Sequence, residues 1–406
     1  MALGLGSVLE FLSMRKHLVT GIDIGSSLIR VVVVAHSNTG APQIVATASR
    51  ESRGLRHGYI VNFDEAIAAI RATVKEAERK AEASISRAFL AVGGISLSAV
   101  TNEASIAISK ADGEVTELDL ERVLALSESN LRHNPNNRII HTIPLLYKVD
   151  GKKVLGKPKG MKGSILEIKT LFVTALDQHL ETLVRAVEAA GVQVEDVAAA
   201  PIAASLVTLT KHQRTVGCIL ANIGAETVSI AVFEENLPIS LQVFPFGSSD
   251  ITNDIALGLK LPLEDAEEMK VHRERTLSSR KKLDEIIMAR LSDIFELIEA
   301  HLKKVGRNGL LPAGIILTGG GAGIEMVEQL AKNSLRIPAK TGSVVHPKAS
   351  GEETDKKAAT IKDASWAVAY GLCILGLTTE ADDAMHVRLI QQTKSNFIGW
   401  IKQFLP

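Results

Sequence analysis

The stretch GIDIGSSLIRVVVV, residues 21–34, decides how this chain is read. An apolar run carries an acid, Asp23, then Ile-Gly, two serines and a second apolar run. A glycine at that point can take positive φ and fold the two runs back on each other as a β-hairpin. About half a chain later the order recurs in LANIGAETVSIAVF, residues 220–233. Asp23 aligns with Asn222, Gly25 with Gly224 and Ser27 with Glu226. One such hairpin is a weak signal. Two predict a pair of duplicated α/β domains facing each other.

The chemistry of the turn follows from its backbone. Successive N–H groups point into one concavity, which suits a phosphate. Ser26, Ser27 and Thr227 can add hydroxyl donors, and an acid at Asp23 can hold the water shell of Mg²⁺. A third glycine segment, AGIILTGGGAGIEMVEQLAK (313–332), reads as a strand, a glycine run and an amphipathic helix from about Ile324. Backbone at Gly319, Gly320 and Gly321 can lie flat against a nucleotide, beside a helix N-terminus that favours negative charge.

Bulk properties bound the rest. A chain of 406 residues suggests two or three domains of about 100–200 residues each, with no need of a disulfide or metal staple. The 46 basic and 46 acidic residues cancel, which argues against a nucleic-acid coat or a polybasic membrane protein. Cys218 and Cys373 sit in apolar runs and read as buried thiols, in keeping with a reducing cytosol. The start, MALGLGSVLEFLSMRK, has no basic segment ahead of its apolar residues and is interrupted by Glu10, so it makes a poor secretory signal. No uncharged apolar stretch reaches the roughly 20 residues of a spanning helix. The longest, WAVAYGLCILGL (366–377), reads as a buried helix. Strands such as IRVVVV alternate with helical patterns such as FDEAIAAIRATVKEAERKAEA (63–83), which indicates an α/β protein. The histidines show no metal-ligand spacing, so no metal is expected beyond Mg²⁺ on a nucleotide. No Ser/His/Asp arrangement can be assigned.

Taken together, DIGSS, NIGAET and LTGGGAGI resemble the two phosphate loops and the adenosine motif of the actin/Hsp70/sugar-kinase superfamily. Within it, the chain resembles the FtsA family of bacterial cell-division proteins over nearly its whole length. The match is carried by RGLRHGYIVNFDEAIAAIRATVKEAE (53–78), RAFLAVGG (87–94), NRIIHTIPLLYKVDGKKV (137–154), EDAEEMKV (264–271) and the tail. The resemblance implies an actin-like two-domain ATPase fold built from duplicated ribonuclease-H-like domains, with an inserted SHS2-type subdomain 1C in place of actin's 1B. It implies an N-terminal extension at 1–16, subdomain 1A at 17–83 and 165–208, 1C at 84–164, 2A at 209–257 and 311–377, and 2B at 258–310. A linker follows at 378–393, then a membrane-targeting helix at 394–406. ATP and Mg²⁺ would sit in the cleft, at Asp23 (through water to Mg²⁺), Gly25, Ser26, Ser27, Asn222, Gly224, Ala225, Glu226, Thr227, Glu267, Lys270, Gly319, Gly320, Gly321 and Ala322. The protein would polymerise peripherally on the cytoplasmic face of the inner membrane at the division site. There it would tether FtsZ by its C-terminal peptide and recruit later division proteins through 1C, with no nucleic acid among its partners.

The second phosphate loop departs from the family's usual Asp-Ile-Gly-Gly-Gly-Thr. Asn222 cannot accept a proton and supports Mg²⁺ and attacking water less well than a carboxylate, so ATP is expected to bind but to be hydrolysed slowly or not at all. Glu226 puts a second carboxylate near the phosphates and is expected to turn outward to solvent. Arg30 is expected on the solvent side of its strand, with the phosphates as the other option. Glu267 and Lys270 lie one turn apart and share a helix face, which allows a surface ion pair. The resemblance implies ribose contact there.

Six lysines and one acid, Asp150, lie between Lys148 and Lys162, which suggests either a solvated hairpin or a contact with a neighbouring subunit or an acidic tail. By resemblance, Arg273, Arg275, Arg280, Lys281, Lys282 and Arg290 meet the FtsZ peptide, although the region holding them is shorter than the family's usual 2B. On a helix over 394–405, Phe397, Ile398, Ile401, Phe404 and Leu405 share one face, and Trp400 borders it. Lys394 and Lys402 can meet anionic headgroups, each worth on the order of 1 kcal/mol. Such a helix would lie in the membrane interface. One copy binds marginally, whereas many copies on a filament bind by avidity. Two other readings compete. A small-molecule kinase of the superfamily needs a positioned acid that Asn222 and Ala225 do not supply. A pilus-assembly adaptor would lack the terminal helix.

Overall fold

The structure is a computed structural model, and it describes residues 17–36, 42–131, 136–272, 280–344 and 363–383. In chain order the strands are β1 (His17–Ile24), β2 (Leu28–His36), β3 (Gln43–Glu51), β4 (Leu55–Arg56), β5 (Tyr59–Ile60), β6 (Arg87–Val92), β7 (Ser98–Ala107), β8 (Asn137–Val149), β9 (Lys152–Val154), β10 (Ile165–Leu176), β11 (Gln193–Ala199), β12 (Cys218–Ile223), β13 (Val228–Glu234), β14 (Leu237–Phe244), β15 (Ile315–Thr318) and β16 (Ala339–Thr341). The helices are α1 (Phe63–Ala81), α2 (Glu117–Ser129), α3 (Asp177–Ala189), α4 (Ala200–Thr208), α5 (Lys211–Val216), α6 (Ser248–Leu259), α7 (Leu263–Val271), α8 (Arg280–Lys304), α9 (Val327–Leu335) and α10 (Ala367–Asp383).

The duplication expected from the two hairpins is present in the sheets. One sheet runs β3-β2-β1-β6-β11 and the other β14-β13-β12-β15-β16. In each, the first three strands pair antiparallel and the last two join in parallel. Register repeats as well. Asp23 lies opposite Arg30, and Asn222 lies opposite Ser229. The turns close alike, Gly25 N–H donating to Leu28 O at 3.2 Å and Gly224 N–H to Thr227 O at 2.9 Å. Both faces of each sheet are covered, so the central strands are apolar without alternation, as in Val31–Val34.

Helices α1 and α3 cover the outer face of the first sheet through Ile70, Val74, Leu183 and Val187. Helices α8 and α9 cover the second through Ile287, Leu291, Phe295 and Ala331. Between the sheets one continuous core joins both halves, filled by α4 and α10. The segment 366–377, expected as a buried helix, forms most of α10. Its glycines set the spacing. A Cβ on Gly21 would lie 2.1 Å from Ala369 O, and one on Gly371 would lie 1.9 Å from Ala203 O. Helix α10 also runs on to Asp383, so the first residues of the stretch expected as linker are helical.

A third sheet, β7-β10-β8-β9, is inserted between β6 and α3. Helix α2 packs on it around a separate core of Val115, Leu120, Val123, Leu166 and Ile168. A capping box starts α2, Thr116 and Asp119 each bonding the other's backbone. Of the lysines in the 148–162 run, Lys148, Lys153, Lys157 and Lys159 each sit within 4 Å of a carboxylate, on Glu167, Glu235, Glu117 and Glu117. After the third glycine run a 3₁₀ turn spans Gly320–Gly323, and the helix begins at Val327 rather than near Ile324. Residues 1–16, the tail at 394–406 with its proposed membrane-contacting side chains, Arg273 and Arg275 lie outside the described residues.

Alanine at Gly371 should test the spacing. In an open helix it would stabilise by up to about 1 kcal/mol. Here the added carbon meets a backbone carbonyl of α4, so Gly371→Ala is expected to destabilise by about 3 kcal/mol, read as a lower midpoint in urea denaturation.

Candidate functional site

The two glycine turns are held by backbone and hydroxyl contacts. In the first, Ser52 Oγ donates to Gly25 O at 2.5 Å and Ser52 N–H to Ser27 O at 2.8 Å. Ser26 Oγ accepts from Gly58 N–H at 3.0 Å. The second turn rests on the start of α6, where Ser248 N–H donates to Gly224 O (2.9 Å) and Ser249 N–H to Ala225 O (2.8 Å). Gly247 must be glycine for this contact, because a Cβ there would lie 2.2 Å from Ala225 O. Thr227 supplies the carbonyl that closes the turn.

Asp23 is the carboxylate of the first turn. Burial pushes it up to about 6, against the pull of the Arg30 guanidinium. Arg30 therefore does not project freely to solvent. It is half-buried, opposite Asp23 on the neighbouring strand, with its guanidinium 5.7 Å from the centre of the Trp366 ring. Asn222, at the equivalent place in the second half, is neutral and partly buried. Its Oδ1 packs where a Cβ on Gly319 would fall, at 2.3 Å, and Gly319 has φ +84.

Glu226 also differs from expectation. Its side chain does not turn outward: the carboxylate accepts a hydrogen bond from His57 N–H in the β4–β5 turn, and its own carbonyl lies 3.2 Å from His57 Nδ1. The reason is the local backbone. The β4–β5 loop has two residues with positive φ, His57 at 49° and Gly58 at 83°, which aim successive N–H groups at the two phosphate loops. RHGY could have signalled the tight turn, but nothing in sequence marked its partner 169 positions away.

Helices α6 and α7 line a neighbouring cleft of about 680 Å³ that includes Ser249, Thr252, Asn253, Glu267 and His272. Glu267 and Lys270 form an ion pair at 2.6 Å, which their spacing allowed, but not a surface one, and Lys270 is not the ribose contact that the resemblance implied. Lys270, with its side chain 7% exposed, is the inner member. It donates to Thr252 Oγ1 (2.7 Å) and Ser248 O (3.0 Å), while Thr252 Oγ1 donates to Glu267 Oε2 at 2.5 Å. Glu267 thus faces the cleft while Lys270 holds α7 to α6. Of the third glycine run, a Cβ on Gly320 would meet open space, whereas one on Gly321 would lie 2.4 Å from the Ile223 side chain, and Ala322 is buried. Sequence reading missed Ser52, His57, Thr252 and Trp366, which reach the cleft only through tertiary contacts. The basic residues read as peptide-docking are divided. Arg280, Lys281 and Lys282 are exposed, Lys282 also donating to Gly258 O at 2.7 Å, whereas Arg290 makes a two-pronged pair with Asp254 at 2.7 and 3.0 Å.

Duplicated sheets with paired glycine turns facing a cleft, and a third sheet inserted in the first half, define an actin-like protein. The solved structures agree. A chain of the PilM–PilN type IV pilus biogenesis complex matches with TM-score 0.62 at 20% identity, over 88% of this chain and 98% of that one. The MreB 5 protein of Spiroplasma citri bound to AMPPNP matches with TM-score 0.52 at 12% identity, over 91% and 99%. The family model for cell division protein FtsA matches residues 219–371, and that for the SHS2 domain inserted in FtsA matches residues 94–174. Cell division protein FtsA of Borreliella burgdorferi is 30% identical over 364 residues, covering 84% of this chain and 88% of that protein. The Pseudomonas aeruginosa protein of the same name is 28% identical over 387 residues, covering 90% of each. The chain belongs to the FtsA family.

A raised pKa means that the folded state holds the Asp23 proton more tightly than the unfolded chain. Asp23 therefore costs nothing below its ordinary value of 3.8 and weakens the fold as pH rises through about 6. Asp23→Asn should stabilise the nucleotide-free protein at pH 7.5 by up to about 3 kcal/mol. That gain should disappear below about pH 4, measured by urea denaturation across the pH range.

Proposed function

We propose that this chain is an ATP-binding, actin-like cell-division protein that polymerises on the cytoplasmic face of the inner membrane at the division site. It would tether FtsZ filaments there and recruit later division proteins. The observation that carries the reading is membership of the FtsA family together with two phosphate-type turns of matching geometry at one cleft. Of the subdomain limits read from the sequence, 2A holds the second five-stranded sheet and 2B the α7–α8 region, but the border of 1A and 1C shifts: β6, placed in 1C, pairs with β1 and β11 in the first sheet, and β10, placed in 1A, pairs with β7 and β8 in the inserted one.

The residues at the cleft fit a Mg²⁺ nucleotide. Backbone amides of the two turns other than those of Gly25 and Gly224, which close the turns themselves, would bind phosphate oxygens together with the hydroxyls of Ser26, Ser27 and Thr227, and Gly25, Gly224 and Ala225 let the backbone approach the phosphates closely. The Ser26 hydroxyl, which accepts from Gly58, keeps its own proton to donate. Asp23 is the carboxylate placed to hold metal-bound water, and the metal would supply charge neutralisation between the phosphates. Glu267, at the open cleft, suits ribose hydroxyls, and the bare backbone of Gly320 suits a base. Hydrolysis is slow or absent. Asn222 cannot take a proton, and the Glu226 carboxylate is already engaged by His57.

Among the described residues no helix is long and apolar enough to cross a membrane. Attachment is assigned to the amphipathic tail through Lys394, Phe397, Ile398, Trp400, Ile401, Lys402, Phe404 and Leu405. FtsZ docking is assigned to the 2B region, where Arg280, Lys281 and Lys282 are exposed.

Co-sedimentation with anionic liposomes and ATP tests the reading, using the full chain and a chain truncated after Thr393. The full chain should pellet as filaments on lipid, seen by electron microscopy, while the truncation stays in solution. Identical behaviour with no polymer would remove the scaffold reading and favour a pilus-type adaptor. Phosphate release should stay slow with polymer present, and rapid polymer-coupled turnover would overturn the assignment of an impaired second loop.

A further inference from the structure

We propose that Glu226 and His57 form a latch between the two halves of the molecule, across the phosphate end of the cleft, and that it must open before nucleotide leaves. The functional part rests on the nucleotide reading above. The latch itself rests on geometry.

Glu226 belongs to the β12–β13 turn and His57 to the β4–β5 turn, in opposite halves. Two contacts join them, the carboxylate with His57 N–H and the Glu226 carbonyl with His57 Nδ1. The first is charge-assisted, the stronger kind of hydrogen bond. His57 sits at φ 49 in a two-residue loop whose central positions ordinarily go to Asn, Asp or Gly. A histidine there costs conformational energy that the cross-cleft contacts offset.

The turn carrying His57 is fixed from three sides. Gly58 N–H donates to Ser26 Oγ in the first phosphate loop. A Cβ on Gly58 would lie 2.6 Å from Gly94 Cα, so the turn is wedged against the end of β6. The Gly58 carbonyl lies 2.9 Å from His179 Nε2, whose ring stacks on Tyr59 at 4.3 Å and whose Nδ1 meets Ser96 Oγ at 2.8 Å. The turn therefore cannot retreat alone. Opening the latch means moving the second loop, and with it the second half, away from the first. The arrangement also explains how an acid is accommodated beside a phosphate loop, since its charge is directed to a backbone donor of the other half.

A simpler role for Glu226, repulsion of the phosphates, makes the opposite prediction. Removing the side chain would then tighten binding and slow release. If Glu226 is a latch, removing it speeds release. The experiment is stopped-flow displacement of a mant-labelled ATP from the full chain, its Glu226→Ala variant and its Glu226→Gln variant. Amide hydrogen exchange of the peptide containing His57 is followed in the same proteins without nucleotide, and a thermal melt confirms that each variant is folded. Glu226→Ala should release nucleotide about ten- to a hundredfold faster and lose protection at His57. Glu226→Gln, which keeps an acceptor oxygen but no charge, should stay within a few fold of the parent. Slower release from Glu226→Ala, or a Gln variant indistinguishable from the Ala variant, would overturn the latch. If the parent chain binds no mant-ATP, it is the nucleotide reading that fails. Exchange at His57 then decides the latch alone, which unchanged protection in Glu226→Ala would overturn.

Discussion

Everything at the cleft depends on how closely α10 approaches β1 and α4. Gly21, Gly371 and Gly376 each face a neighbour where a side-chain carbon would overlap Ala369 O, Ala203 O or the Phe89 ring. Without those contacts the two sheets could not share a core, and each half would need its own apolar cover on the inner face. With them, the sheets are locked through one packed layer that runs from Val32 and Phe89 through Tyr370 and Ala203 to Leu220 and Phe233. Close-packed interiors transmit rather than absorb displacement. The layer therefore sets the resting positions of the two glycine turns relative to each other, and a cross-cleft contact such as that between Glu226 and His57 becomes possible.

Charge in the cleft is arranged asymmetrically over a symmetric backbone. The first turn carries an acid that burial pushes up to about 6, against the pull of Arg30. The second carries Asn222, which has no charge to desolvate, while its acid, Glu226, has been moved to the tip of the turn and tied to the other half. Burying Asp23 has a stability cost that no folding requirement explains, and costs of that sort concentrate at functional sites.

The inserted sheet has its own core but is not loosely attached. His141 on β8 accepts a hydrogen bond from Ala199 N–H at the start of α4, at 3.0 Å, and burial holds the ring neutral with a pKa of about 3. At the other root, His179 and Ser96 tie the insertion to the turn that carries His57. Two histidines at the base of one subdomain, each placed by burial and a backbone partner, give it a defined seat beside the cleft. The lysine-rich hairpin at its far end is largely neutralised by neighbouring carboxylates, including Glu235 of the second half, so its charge count overstates the free positive surface.

Much of this protein was legible in its residues. The two hairpins appear as local patterns of apolar runs and a glycine, and such patterns act over a few residues, where sequence and backbone conformation are directly coupled. The buried helix at 366–377 was legible for the same reason, since an unbroken apolar run of that length has no exposed solution. The pairing of Glu267 with Lys270 followed from helical spacing. What sequence could not supply were contacts between residues far apart in the chain. Glu226 reads locally as a solvated acid, Arg30 as a strand cation facing water, and Gly371 as a helix glycine without a reason. Each acquires its role from a partner on another element: His57, Asp23 with Trp366, and the carbonyl of Ala203. Periodicity and turn chemistry act along the chain, so they determined the elements, while the quoted motifs carried the resemblance to the family. The cross-cleft bond, the raised pKa of Asp23 and the need for glycine in α10 depend on distances through space, and only the packed tertiary structure decides those.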